Sequence, residues 1–381
     1  MKKKLLAMLM AACMVMGLTA CGSSNAATST AAPEEAAAPE ASAETEAPEE
    51  TEASAETEAP EETAGELITV GFAQVGAESD WRTANSTSMK TTFTEENGYE
   101  LIFDDAQQKQ ENQIAAIRNF IQQEVDYIVL APVTETGWDA VLQEASDAGI
   151  PVIIVDRMVD VSDDSLYTAW VGSNFQLEGD KAAEWLNQYL QANNIENANI
   201  VNIQGTIGAS AQIGRTAGLE DACEANSNMT LLAAATGEFT QAKGQEVMES
   251  FLKQYDDINV VWCENDNEAF GAIDAIEASG KTVGSDIANG EIMVLSFDAV
   301  NAGMALTLEG KITLDTECNP LHGPRVESII QVLETGGTPD KIAYVDEGIY
   351  AHDDTVKSVT IDGTEYEVTA VTQEVVDGRE Y

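Results

Sequence analysis

From Leu67 onwards the chain alternates short β-branched runs with helical stretches at a regular interval, and that rhythm restricts the fold more than any other feature. Ile68 to Ala73 is followed by Thr83–Asn97, and Tyr99 to Phe103 by Lys109–Glu124, whose Ile114, Ile117 and Ile121 fall on one helical face. Asp126 to Ala131 precedes Thr136–Ala148, closed by Gly149, and Pro151 to Val155 follows. Strand starts lie roughly 25–30 residues apart, the spacing of βαβ units around a parallel sheet covered on both faces. A second series is expected to begin near Trp170, with strands at Ile200–Gln204, Leu231–Ala235, Val260–Cys263 and Ile292–Phe297. Two such series predict an α/β protein with two doubly wound parallel-sheet lobes. In open sheets of this kind ligands sit beyond the carboxyl ends of the strands.

What precedes Leu67 is not a fold. Lys2, Lys3 and Lys4 form a basic head, and Leu5 to Leu18 is an apolar run too short to span a bilayer comfortably, so residues 1–20 read as a secretory signal. The ending Leu18-Thr19-Ala20-Cys21-Gly22 resembles a bacterial lipoprotein lipobox, and the resemblance implies a lipid on Cys21 that tethers the exported protein to a membrane. An ordinary cleaved signal with a chance cysteine is the alternative. The remainder of 21–66 is built from Ala, Glu, Thr, Ser and Pro without a Lys, Arg or aromatic residue. It contains a duplication, Ala41–Thr51 recurring at Ala53–Thr63. Such a segment buries too little to offset its ordering entropy and is expected to be a disordered acidic stalk reaching about 35–40 Å.

Charge excludes whole classes of partner. With 18 basic against 67 acidic residues, the formal net charge is −49. A surface this negative repels nucleic acid and anionic lipid headgroups. Three cysteines remain after the first 21 residues, Cys223, Cys263 and Cys318, widely spaced and matching neither a disulfide framework nor a metal knuckle. His322 and His352 are the only histidines, so no metal site, no cofactor and no Ser-His-Asp or Cys-His centre is expected. Gly205-Thr206-Ile207-Gly208 lacks the Gly-Lys-Ser/Thr of a nucleotide loop, and Asp160–Asp164 lacks the glycine and closing glutamate of a Ca²⁺ loop.

Unusual residues gather at the strand ends. Glu78-Ser79-Asp80-Trp81-Arg82 follows the first strand, Asp156-Arg157 the fourth, and Glu264-Asn265-Asp266, Asp298 and Glu317-Cys318-Asn319-Pro320 later ones. Planar bidentate donors and acceptors with an aromatic face suit sugars: hydroxyls pair with Arg and Asp while the ring's C–H face stacks on Trp or Phe. Helix caps and turns are the competing reading of each Asp or Asn.

Together with Gln107–Gln113, Ala131-Pro132-Val133, Thr136-Gly137-Trp138 and Gln204–Ser210, these segments resemble the pentose/hexose-binding proteins of bacterial ABC importers, most of all the galactofuranose-binding members. The resemblance runs from Ile68 to about Tyr350. It implies a periplasmic-binding-protein type I fold: lobes 67–172 plus 320–346 and 173–319 plus 347–381, a three-strand hinge, and a sugar in the cleft. By position, the implied contacts are Glu78, Trp81, Arg82, Asp156, Arg157, Asn174, Arg215, Phe239, Asn265, Asp298 and Asn319, with Asp156 relying on Arg157 as its partner. Glu264 stands where the relatives carry His, and residues 355–367 run on beyond the shared length, where they are expected to add strands to the second lobe's edge. The implied role is a monomeric, lipid-anchored extracytoplasmic protein that delivers a neutral sugar to permease subunits and their ATPase. A sensor presenting sugar or autoinducer to a receptor kinase stays open, as does a glycan-acting enzyme using Asp156 and Asp298.

Overall fold

The structure is a computed structural model that describes residues 67–381. The signal, stalk and Cys21 readings fall outside the described residues. The first half runs β1 (Ile68–Gln74), α1 (Asp80–Thr92), β2 (Tyr99–Asp105), α2 (Gln110–Gln122), β3 (Tyr127–Leu130), α3 (Asp139–Asp147), β4 (Val152–Val155) and β5 (Ala169–Gly172). It continues through α4 (Phe175–Ala192), β6 (Ala198–Gln204), α5 (Ser210–Ala225), β7 (Met229–Thr236), α6 (Gln241–Gln254), β8 (Val260–Cys263), α7 (Asp266–Ala278), β9 (Met293–Asp298), α8 (Asn301–Leu308) and β10 (Leu314–Glu317). The last part holds α9 (Gly323–Glu334), β11 (Ile342–Tyr344), β12 (Ile349–Ala351), β13 (Ser358–Ile361), β14 (Thr364–Glu367), β15 (Thr369–Ala370) and α10 (Gln373–Asp377).

Two sheets result. The first has the order β11-β5-β4-β3-β1-β2 and is parallel throughout. The second has the order β15-β12-β10-β9-β8-β6-β7, in which only the β10–β12 pair is antiparallel. Strands β3, β4 and β8 are buried along their whole length, which is why they read as unbroken apolar runs rather than alternating ones; β9 is equally buried but carries Ser296 and Asp298. Each sheet carries apolar clusters on both faces, Ile117, Leu130 and Trp138 against Phe72, Val129 and Val326 in the first, and Trp185, Leu186 and Trp262 against Val261, Met248 and Ile276 in the second. The chain crosses between sheets three times, at residues 173–174, 318–322 and 345–348. Glu347 ties the crossings together, accepting from Ser173 Oγ (2.5 Å) and Asn319 N (2.8 Å).

Two expectations are corrected. Trp170 does not open the second series: β5 pairs with β4 and β11, so the first sheet keeps it and the second series starts at α4. The tail segment 355–367 does not extend the second sheet; β13 and β14 form a separate hairpin, and only β15 joins the edge beside β12. Helices α4 and α5 cross at glycines, where a Cβ on Gly218 would lie 2.4 Å from the Gly179 carbonyl carbon.

Candidate functional site

The strand ends of the two sheets face one narrow cavity between them. The lobes are closed over it. Asp80 N donates to Asn267 Oδ1 (2.9 Å), Met158 N to Ser210 Oγ (2.9 Å) and Glu135 N to the Gly208 carbonyl (2.9 Å).

On the first lobe, Ser79 caps α1 by accepting from Arg82 N (3.1 Å), which places Trp81 and Arg82 on the first turn against the cavity. Arg82 donates through Nε to Glu78 (3.0 Å) and through Nη2 to Asp156 Oδ2 (2.7 Å). The Trp81 indole donates to the Cys318 carbonyl at the second crossing (2.6 Å). Asp156 holds φ +62°, a left-handed conformation for a non-glycine residue that turns its carboxylate back towards Arg82. Asp156 is therefore paired chiefly by Arg82, with the expected partner Arg157 at the longer distance of 3.9 Å. Arg157 Nη1 donates to the Val133 carbonyl (3.0 Å), its guanidinium lies 4.9 Å from the Phe239 ring centroid, and its carboxylate neighbours stay at 3.8 Å (Glu78) and 3.9 Å (Asp156). Those long contacts leave donors free to face the cavity.

The second lobe repeats the theme. Arg215 donates through Nε to Glu178 (2.7 Å), through Nη1 to the Glu264 carbonyl and through Nη2 to Asp298 Oδ1 (3.4 Å). Phe239 sits at φ +61° with its ring over Gly205, where a Cβ would come within 1.9 Å of the ring; only glycine fits beneath it. Asn265 caps α7, accepting from Glu268 N (2.8 Å) and donating to the Phe239 carbonyl (3.2 Å).

Burial and pairing set the charges. Burial works against an ionised Asp156, but Arg82 and Arg157 outweigh it and hold the carboxyl below the usual range. Burial, reinforced by the Arg82 cation, pulls Arg157 down to about 10. Burial lifts Asp298 well above the carboxylate range, with Arg215 only partly opposing it. Behind the cavity, burial pushes Glu264 up to about 7; it accepts from Thr216, Asn202 Nδ2 (3.1 Å) and Gly205 N (2.8 Å), so it braces the Gly205 loop.

Nine of the eleven singled-out residues line this cavity: Glu78, Trp81, Arg82, Asp156, Arg157, Arg215, Phe239, Asn265 and Asp298. Two do not. Asn174 spends its side chain capping α4, accepting from Leu177 N (3.1 Å), and Asn319 Oδ1 accepts from Leu321 N (2.9 Å). Ser79, Phe175, Ala211 and Cys318 complete the lining and were not singled out. Phe175 was accessible to the same logic, being the aromatic that directly follows the Asn174 cap. No helix among the described residues is long and apolar enough to cross a membrane.

A closed two-lobed α/β protein with paired charges and aromatics in its cleft is the form of a solute-binding protein. The chain belongs to the periplasmic binding protein family, whose domain matches residues 70–320. The galactofuranose-binding protein YtfQ of Escherichia coli (strain K12) is 39% identical over 290 residues, covering 75% of this chain and 88% of that protein. A Mycobacterium smegmatis protein in complex with β-D-fucofuranose is 43% identical with a TM-score of 0.71, covering 76% of this chain and 93% of that one. The periplasmic binding component of the arabinose ABC transporter from Shewanella sp. ANA-3, bound to α- and β-L-arabinofuranose, is 41% identical with a TM-score of 0.70, covering 75% and 93%.

Proposed function

We propose that the protein is an extracytoplasmic, lipid-anchored monomer that binds one neutral monosaccharide, galactofuranose or a related pentose or hexose, and delivers it to the permease and ATPase of an ABC importer. The carrying observation is the pairing of charges around the cavity. Arg82 and Arg157 together meet Glu78 and Asp156, and Arg215 already meets Glu178 and Asp298, all within 4 Å. No full charge is left to neutralise an ionic ligand, whereas the lone pairs and N–H groups of these planar side chains suit hydroxyls. Trp81, Phe175 and Phe239 supply flat apolar faces for the ring's C–H surface. The likeness to proteins named for galactofuranose, fucofuranose and arabinofuranose supports a five-membered ring.

Because sugar would touch both lobes, it binds the closed form better and shifts the population towards it. The affinity required is attainable. Micromolar binding is about −8 kcal/mol, and a monosaccharide has about 12 heavy atoms, so each contributes about −0.7 kcal/mol against a ceiling near −1.5. Calorimetry against galactose, arabinose, fucose, ribose and fructose, with methyl furanosides and pyranosides as ring-locked forms, tests the reading. Micromolar heats confined to furanosides are expected; no heat with any sugar refutes it.

A further inference from the structure

The loop that presents Asp298 to the cavity is strained and is held from behind by a part of the chain that the sugar-site reading does not use. Asp298 and Ala299 lie at φ +107° and +53°, two consecutive non-glycine residues in positive-φ conformations. Such a backbone persists only where its surroundings over-determine it. Part of that support comes from within the second lobe, where Asp266 accepts from Val300 N (2.8 Å) and Asp315 from Ala299 N (3.0 Å).

The rest comes from residues 379–381, at the far side of the β13–β14 hairpin and α10. Arg379 Nε donates to the Ala299 carbonyl (2.6 Å), and the Tyr381 carbonyl accepts from Asn301 N (2.6 Å). Two backbone groups on either side of Val300 thus find partners on one short strap. The strap is itself locked to Glu317, the last residue of β10. Arg379 Nη1 lies 3.0 Å from Glu317 Oε1, the Tyr381 hydroxyl donates to the same oxygen (2.6 Å), and Arg379 Nη2 donates to the Tyr381 hydroxyl (2.7 Å). The other Glu317 oxygen accepts from Gly348 N at the third crossing (2.7 Å). Glu317 precedes Cys318, whose carbonyl takes the Trp81 indole N–H (2.6 Å). The strap therefore stands behind one cavity wall in each lobe.

We infer that Arg379 and Tyr381 are positioning residues for the ligand cleft: through Ala299 and Asn301 they hold Asp298 in its strained geometry, and through Glu317 they fix the carbonyl that orients Trp81. This rests on the proposed sugar site. The strap touches no cavity surface itself, so it acts by raising the fraction of the protein whose cleft is competent to bind, and apparent affinity falls in proportion when that fraction drops.

The test is Arg379→Gln and Tyr381→Phe, singly and together, in the full chain. Calorimetry is run with the sugar that the parent binds, in both the parent and an Asp298→Asn background. Hydrogen exchange at residues 298–301 is measured without sugar. The double variant is expected to bind roughly tenfold more weakly in the parent background and to add a clearly smaller loss once Asp298 is already replaced, the part carried through Glu317 to Trp81. The Asn301 amide is expected to exchange at least about tenfold faster once its support is loosened. Unchanged affinity, or an equal loss in both backgrounds, overturns the inference, because a merely structural tail would weaken both alike. If no sugar binds the parent, the sugar reading fails, and unaltered exchange at 298–301 then overturns the strap by itself.

Discussion

Replacing Arg82 by methionine isolates the electrostatic centre of the first lobe. The side chain makes two short ion pairs, 3.0 Å to Glu78 and 2.7 Å to Asp156, and all three side chains are at most 4% exposed. Methionine keeps most of the apolar stem and fills irregular space, so the cavity contribution stays small. What remains is two buried carboxylates facing one guanidinium, that of Arg157, at 3.8 and 3.9 Å. Breaking a buried pair by removing one partner costs about 3–5 kcal/mol, since an uncompensated charge stays behind. That loss has a pH signature. In the parent, Asp156 sits below its unfolded value, so it contributes stability above pH ~4, lost only as pH falls through the lower folded value. Without Arg82 the burial that opposes ionisation prevails, the folded value rises above the unfolded one, and the penalty grows as pH rises from ~4. Urea unfolding of sugar-free protein is expected to show the full loss at pH 7.5 and a smaller one at pH 5. A loss below about 1 kcal/mol, or one identical at both pH values, would refute the reasoning.

Arg157→Ala is expected to weaken sugar binding by about ten- to hundredfold, the worth of a charged hydrogen bond. Calorimetry showing a Kd within twofold of the parent would remove Arg157 from the site. Gly218→Ala should cost about 1–3 kcal/mol or more, since its Cβ meets the backbone of Gly179 and Asp180 at 2.4–2.7 Å; a urea midpoint equal to the parent's would contradict that packing. His322 is buried and pushed down to about 4 by that burial, with Nδ1 beside Asn85 Nδ2 (2.9 Å) and Nε2 unpartnered. Its stability contribution is complete above pH 6.5 and lost as pH falls towards 4, so His322→Gln should flatten the Tm–pH curve across that window relative to the parent. Trp81→Phe keeps an aromatic face but loses the bond to the Cys318 carbonyl (2.6 Å), and its affinity should fall severalfold; equal affinity would show that only the ring face matters.

How far the sequence carried the fold depended on whether a residue's environment repeats along the chain. Strands such as Val260–Cys263 were legible to the residue, because a strand buried on both faces must be apolar throughout. The four residues of β5 were not, since Ala169–Gly172 lacks the β-branched run of the other strands and its partner β11 lies far along the chain. Most of the cavity was legible because open α/β sheets place ligands at strand ends, and Arg, Asp and Trp are costly to bury there without a use. Asn174 and Asn319 lie outside the cavity lining, and each turns its side-chain oxygen to a nearby backbone amide, a local use that asparagine serves as readily as ligand contact. The Cys318 carbonyl carries no side-chain signature at all. The β13–β14 hairpin did have one, Asp362-Gly363, whose positive φ values of +50° and +82° are those of a tight hairpin turn.

The distribution of arginine joins these threads. The chain holds six arginines, and three of them, Arg82, Arg157 and Arg215, line one cavity while a fourth, Arg379, braces the loop behind it. Residues 67–381 carry 15 basic against 54 acidic side chains, so the exterior is strongly negative while the cleft is nearly balanced. A cationic solute would be drawn to the surface but would meet guanidinium groups inside. An anionic solute would be repelled before reaching the cleft, because like-charge fields suppress encounter. A neutral polyhydroxylated ring meets neither barrier and finds fixed donors and acceptors. On the proposed reading an anionic solute is therefore rejected twice, by the surface at a distance and by the paired groups at contact. Adding salt separates the two: it should relieve the long-range repulsion of a sugar acid within a Debye length of about 10 Å at 0.1 M and leave its rejection by the cavity intact. A uronic acid that binds as tightly as the parent sugar in 0.5 M salt would show that the cavity does not discriminate charge.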